Sequence, residues 1–270
     1  MNETIVKKVN ALPPLDRTIM QIQSICLDEN SSLLALVKVV ESDPMLMANI
    51  LKSANSPLYG FSREIKSISH AISLFGMSTI RGFALLSAIR NTIPMNLSPY
   101  TISNEDLLTF STLQSALIAK WYAKVDTSML DVLQPASFLM EVGKIIIANH
   151  LIESKQDGAF KEELSTINSL EALSLLEEKY VGFSNEEITA QVFEHWHLES
   201  ELIASIRYSN NITQAPKEIE PYAKALHIAK TTINIFGQLD DDNVAKALSL
   251  VATHHLNPPS YLESIEFLKQ

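Results

Sequence analysis

Glycine is scarce in this chain, with 7 residues in 270. No G-x-G-x-x-G fingerprint and no G-x-x-x-x-G-K-[ST] loop occurs, so backbone-amide cradles for nucleotide phosphates have no basis in the sequence. Cysteine is scarcer still: Cys26 stands alone, which excludes an internal disulfide and fits a reducing compartment. Positive charge is short, with 21 Lys and Arg against 31 Asp and Glu and a formal net charge of −10. A chain this acidic lacks the electrostatic footprint of a phosphate-backbone binder, and direct nucleic-acid binding is not expected. No apolar run approaches the ~18 residues that span a bilayer. The opening MNETIVKKVN lacks the apolar core of a signal peptide. Membrane insertion is therefore not expected, and the cytoplasm is the expected location. Alternating β-branched runs bounded by turns are missing too.

What remains is helical. Hydrophobic residues make up 46% and charged residues 19%, a globular balance. Apolar residues recur with a 3.6-residue period throughout, which predicts an all-α fold. Leu12-Pro13-Pro14-Leu15 is a stiff entry, because proline removes donors and restricts its predecessor. A first helix follows with Leu15, Ile19, Ile22 and Cys26 on one face. Ser32 is placed to cap the next. The densest signals run from Asp43 to Arg81. Asp43-Pro44 opens a helix, with the carboxylate ready for free amides and proline at a position that needs no donor. Asn55-Ser56-Pro57 ends it. Ser67 can cap a helix carrying Ile68, Ala71, Ile72 and Phe75, with Gly76 as a left-handed stop. Ser78 is placed to cap a longer one through Ile93.

Met95 to Asn104, near Pro94 and containing Pro99, is the best boundary. It predicts two lobes: an N-terminal bundle over 1–95 and a helical lobe over 104–270, with a groove between them. In the second lobe Glu105 to Lys124 is helical, Val142 to Leu151 reads as a buried helix, and Pro221 to Phe236 as another. Ser154 to Glu163 reads as a loop or helix start.

The run of Leu12-Pro13-Pro14-Leu15, Asp43-Pro44, Ala54-Asn55-Ser56, Tyr59-Gly60, Ile65 with Ile68, Ala71-Ile72, and Phe75-Gly76 with Arg81 resembles the HDOD domain. That family is a bacterial relative of the HD metal-dependent phosphohydrolases. A weaker likeness continues to about Thr232. HD enzymes hold metal and a water nucleophile with histidines and aspartates from separate helices, because imidazole and carboxylate bind divalent cations and the cation acidifies the water. The resemblance puts Gln114 at the first ligand position and Met140-Glu141 at the paired His-Asp that names the family. It puts Asn185 at a further histidine position, Ser209-Asn210 where some relatives carry histidines, and Lys230 at the closing aspartate. Of these only Glu141 is acidic. Such a set implies no catalytic residues, no resident metal and no cofactor.

Other candidates have plainer readings. His195 and His197 sit at i and i+2, which point to different faces of a helix and do not converge on a metal. His254-His255 diverge likewise, and His227 on an apolar face reads as a satisfied core histidine. Glu141 with Lys144 leaves two readings open: a residual polar cleft, or a buried pair replacing the lost metal charge. Arg81 reads as a bridge to Asp43 or Glu41, or as a ligand residue.

The function implied by the resemblance is a non-enzymatic signal-transduction module that binds other signalling proteins, in two-component, cyclic-dinucleotide or motility control. Its candidate interaction residues are Asn55, Ser56, Tyr59, Arg63, Lys66 and Arg81. Two other readings stand beside it: a metal-dependent phosphohydrolase with atypical ligands, and a small-molecule sensor that reuses the former catalytic cleft.

Overall fold

The computed structural model describes residues 3–28, 30–56, 59 and 63–269. Its elements are helices apart from one two-stranded hairpin among the described residues. Two compact units emerge: Pro13–Thr92, and Met1–Leu12 with Ile93–Gln270.

Helix α1 (Glu3–Asn10) lies before the proline-rich entry. The sequence reading gave these residues no helix and grouped them with the first bundle. In the structure α1 packs on α11 (Asn185–His195), burying Ile5 and Val9. The imidazole Nε2 of His195 lies 2.8 Å from the Leu12 carbonyl oxygen. The first unit therefore starts at Pro13.

That unit contains α2 (Arg17–Leu27), α3 (Leu33–Glu41), α4 (Pro44–Ala54) and α5 (Ile68–Thr92). Local chemistry sets their starts. The Ser32 hydroxyl accepts from Ala35 N. The Asp43 carboxylate accepts from Met45 N and Leu46 N at 3.0 Å each, and Pro44 follows it at the first helical position. The Ser67 hydroxyl accepts from His70 N at 3.2 Å. Ile19, Ile22, Leu36, Val40, Leu46, Ile50, Ile68 and Ile72 are buried. Gly76 has φ 77° and ψ 166°. Two helical stretches meet there across a kink, so the helix break expected at Gly76 is present, with a positive φ but a ψ outside the left-handed helical region. Helix α5 is long and apolar enough to cross a membrane, with mean hydropathy 1.5, but 67% of that window is buried inside the protein. Arg81 is buried within it, and the whole has the character of a core helix.

The second unit contains α6 (Asn104–Val125), α7 (Leu130–Leu139), α8 (Gly143–Glu153), α9 (Asp157–Leu164), α10 (Leu170–Val181), α11, α12 (Ser200–Arg207) and α13 (Glu220–Thr232). Strands β1 (Ile233–Asn234) and β2 (Gly237–Gln238), then α14 (Asp241–Thr253) and α15 (Pro258–Leu268), complete it. Ser103 and Asp106 form a reciprocal capping box at the start of α6. Trp121 anchors the core edge-on to Tyr122 and Tyr261, with ring centroids 5.0 and 5.4 Å away.

The expected helix through Phe236 stops at Thr232. There the Asn234 amide donates to the carbonyls of Lys230 and Thr231 and accepts from Phe236 N. One side chain thus ends the helix and starts the antiparallel hairpin β1–β2.

Candidate functional site: a buried cluster of carboxylates and lysines

Helices α6, α8, α10, α11 and α13 bring their polar side chains to one place inside the second unit. Glu141 lies in the turn before α8, and Lys144 in the first turn of that helix. Their spacing of three puts them on the same side, and Lys144 Nζ donates to Glu141 Oε2 at 2.5 Å. The same ammonium is 3.9 Å from Glu177 Oε1 on α10. From α13, Lys230 Nζ donates to Glu186 on α11 and lies 3.7 Å from Glu141 Oε1. All five side chains are buried.

Neutral groups complete the network. Gln114 on α6 donates from Nε2 to Glu141 Oε1 at 3.3 Å and to the Ile233 carbonyl at 2.9 Å. The Tyr100 hydroxyl donates to Glu177 Oε1 at 2.9 Å, and Asn185 N donates to Glu177 Oε2 at 2.7 Å. The Asn185 side chain bridges helices: Nδ2 donates to the Met140 carbonyl at 2.8 Å, and Oδ1 accepts from Lys144 N at 3.0 Å. Thr189 accepts from Gly143 N. Gly143 permits this approach of α8 to α11, because a Cβ there would lie 2.3 Å from the Asn185 carbonyl oxygen.

Burial pushes every carboxyl here upward. At Glu141 the ammoniums of Lys144 and Lys230 outweigh it and hold the carboxyl below its ordinary value. At Glu186, Lys230 and Lys144 bring the carboxyl down to about 2. At Glu177 burial prevails and raises it to about 7. Burial would lower Lys230, but Glu141 and Glu186 hold it above its ordinary value. The Tyr100 phenol is driven well up by burial, with the charge of Glu177 adding to it. Near neutral pH the cluster holds two cations, two firm anions and a third carboxyl poised between its forms.

Five of the seven sequence-aligned positions meet here: Gln114, Glu141, Asn185 and Lys230 by their side chains, Met140 by its carbonyl. Ser209 and Asn210 do not join by any bond. Ser209 donates to the Ile206 carbonyl and its own carbonyl accepts from His227 Nδ1; Asn210 donates to the Ser174 hydroxyl. Glu177, Glu186, Tyr100 and Thr189 were not picked out from the sequence. This donor set does not suit a divalent cation. Ammonium groups sit against the carboxylates where a cation would have to bind, and among the described residues no group of three His, Cys, Asp or Glu could hold a metal.

In the first unit, Asn55 is a clamp. Its amide donates to the carbonyls of Leu51 and Ile65 at 2.8 and 2.9 Å, and its Oδ1 accepts from Ile65 N at 2.7 Å. The carbonyl of Ser56 accepts from Tyr59 N. The Tyr59 ring packs edge-on against Phe75, 4.5 Å between centroids, and Phe83, 6.3 Å. Arg63 and Lys66 are exposed, with Lys66 3.5 Å from Glu64. Arg81 is buried on α5 and does not belong to an exposed surface. Pro57, part of the expected helix stop, and Gly60, which helps carry the sequence resemblance, lie outside the described residues.

The HDOD domain family matches residues 12–212, and this chain belongs to it. A virulence factor from Campylobacter jejuni subsp. jejuni, of known crystal structure, is 27% identical with a TM-score of 0.58, over 98% of this chain and 94% of that one. A Shewanella amazonensis SB2B protein whose name carries the word phosphohydrolase superposes with a TM-score of 0.73 at 20% identity, over 99% and 98% of the two chains. An uncharacterised protein of Treponema pallidum (strain Nichols) is 20% identical over 253 residues. The chain spans about half the length of that curated relative, 47% of it.

Proposed function

We propose that this chain is a non-catalytic signalling module that acts in the cytoplasm of a bacterial cell by binding other proteins. The observation that carries this reading is the placement of Lys144 and Lys230. Two ammonium groups pair with Glu141 and Glu186 inside the second unit, and one of them, Lys230, stands where the resemblance places the closing aspartate of an HD-type metal site. A buried, hydrogen-bonded ion cluster holds five helices together and offers no activated nucleophile. The working surface is then assigned to the first unit. Met20, Leu27, Leu34, Met45 and Leu74 are exposed there, five of the nine exposed large hydrophobics among the described residues. Exposed apolar side chains, with the exposed charges of Arg63 and Lys66 in the same unit, suit a partner protein.

Two measurements test this. Metal analysis of the purified full-length protein, with phosphodiesterase and phosphatase assays in Mn²⁺, is expected to give no stoichiometric metal and no turnover. Bound metal with turnover lost in Glu141→Gln would overturn the non-catalytic reading. Capture of partners from the native cell is expected to recover a signalling protein whose yield falls several-fold for Arg63→Glu with Lys66→Glu. Undiminished recovery would move the interface elsewhere.

A further inference from the structure

A second feature of the Ile93–Gln270 unit is a cavity of about 410 Å³ between α10, α13, α14 and the β1–β2 turn, a volume typical of small-ligand pockets. It shares no lining residue with the buried ion cluster. Several of its polar groups are already engaged. The Asn234 amide is satisfied by backbone on both sides, Asn243 Nδ2 donates to the Gly237 carbonyl, and the Thr231 hydroxyl donates to the His227 carbonyl.

Among the remaining polar groups, four carry the ligand argument. From α10 and α13 come the Glu171 carboxylate and the His227 imidazole. His227 Nδ1 faces the Ser209 carbonyl at 2.8 Å, so Nδ1 carries the proton and Nε2 is left as an acceptor. Burial holds this imidazole below its ordinary value, in the neutral form, and Glu171 is near enough for its charge to act on the ring. From α14, Lys246 and Ser249 lie three residues apart on one face. Neither Glu171 nor Lys246 enters an ion pair among the described residues, and the Ser249 hydroxyl has no bond there either. Leu170, Phe236 and Leu250 supply the apolar lining.

The lining thus combines two acceptors, one negative, from α10 and α13 with a cation and a hydroxyl from α14, together with apolar surface. A phosphate would face the Glu171 carboxylate, and a neutral ligand would leave both charges unanswered. We propose that the cavity binds a free α-amino acid with an apolar side chain. Its ammonium is held by Glu171 and His227 Nε2, its carboxylate by Lys246 and Ser249, and its side chain by Phe236, Leu170 and Leu250. The inference is independent of the partner-binding reading and adds a ligand-sensing role to it.

The test is calorimetry and thermal shift on the full chain with leucine, isoleucine, valine, methionine and phenylalanine. Their methyl esters, their N-acetyl derivatives and inorganic phosphate are the comparison arms. The expected result is a rise in melting temperature with at least one free amino acid, lost with its ester and its N-acetyl form. Binding should weaken at least tenfold in Lys246→Gln and in Glu171→Gln. Both side chains are exposed, so the ligand-free variants should melt with the wild type. No response to any of the five, equal binding of a blocked derivative, phosphate binding in their place, or affinity unchanged in both variants would each overturn the proposal.

Discussion

Lys230 and Glu177 show how differently two buried charges can behave in one cluster. The Lys230 ammonium faces Glu186 and Glu141. Replacing it by methionine keeps much of the volume but leaves two carboxylates without their cation. Removing one partner of a buried pair costs about 3–5 kcal/mol, so Lys230→Met should lower unfolding free energy by that order in urea titrations. A loss under about 1 kcal/mol would mean that the cluster is not held by this pairing. Glu177 works in the opposite sense. Its carboxyl is raised from 4.5 to about 7, so the native state keeps a proton that the unfolded chain releases between those values. Stability from this group is full below pH 4.5 and is lost as pH rises through 7. Glu186, lowered to about 2, contributes stability that is present above 4.5 and lost as pH falls toward 2. Glu177→Gln removes the first effect. The variant should gain on wild type between pH 5 and pH 8, by up to roughly 3 kcal/mol. A difference independent of pH would show that Glu177 titrates normally. Glu141 and Lys230 could be located from the sequence because a motif aligned them. Glu177 and Glu186 could not, since they lie in acid-rich helix segments where exposure is the default. Their one signal was register: Glu177 falls four residues after Leu173, on the buried face of α10.

Helix α5 and the clamp before it depend on two residues with conformational work to do. Gly76 combines φ 77° with ψ 166°, a region almost closed to L side chains. An added Cβ would meet nothing within 4 Å, so Gly76→Ala should cost backbone strain alone, about 1–3 kcal/mol. A crystal structure of that variant should show the kink relaxed toward regular helix or retained under strain; a melting temperature equal to wild type would rule out the constraint. Asn55 joins the end of α4 to Ile65 by bonds in both directions. The helix boundaries around it were legible because Ser32, Asp43 and Ser67 are caps whose chemistry is local. The elements missed were those that local chemistry does not specify. Helix α1 spans eight residues and carries only two buried apolar positions, too few to establish a period. Strands β1 and β2 are two residues each, too short for alternation to show, and the Asn234 bonds that stop α13 fall inside a stretch whose apolar pattern reads as helix.

Chain order and unit membership part company at the amino terminus, with a consequence for every experiment that divides the protein. Helix α1 packs on α11, more than 170 residues away in sequence, and Ile5 and Val9 are buried at 0% and 2% exposure. Fully burying such a side chain contributes ~1.5–3 kcal/mol relative to leaving it exposed. Removal of residues 1–12 should therefore destabilise the Ile93–Gln270 unit by roughly 3–6 kcal/mol, an upper bound because unfolded chains already bury some apolar surface. The His195 bond to the Leu12 carbonyl is lost with it. Hydrogen exchange should quicken first along α11, which loses the helix covering it. Unchanged protection there would show that α1 is not part of this unit's core. The same packing decides how the first unit should be probed for partners. A fragment of residues 1–95 carries α1 with Ile5 and Val9 stripped of their cover, an apolar stripe able to bind proteins for reasons unrelated to function. A fragment of residues 13–92 lacks that stripe while keeping Met20, Leu34, Met45, Arg63 and Lys66. Partner binding that belongs to the first unit should survive in the shorter fragment. Binding seen only with residues 1–95 would belong to the exposed face of α1.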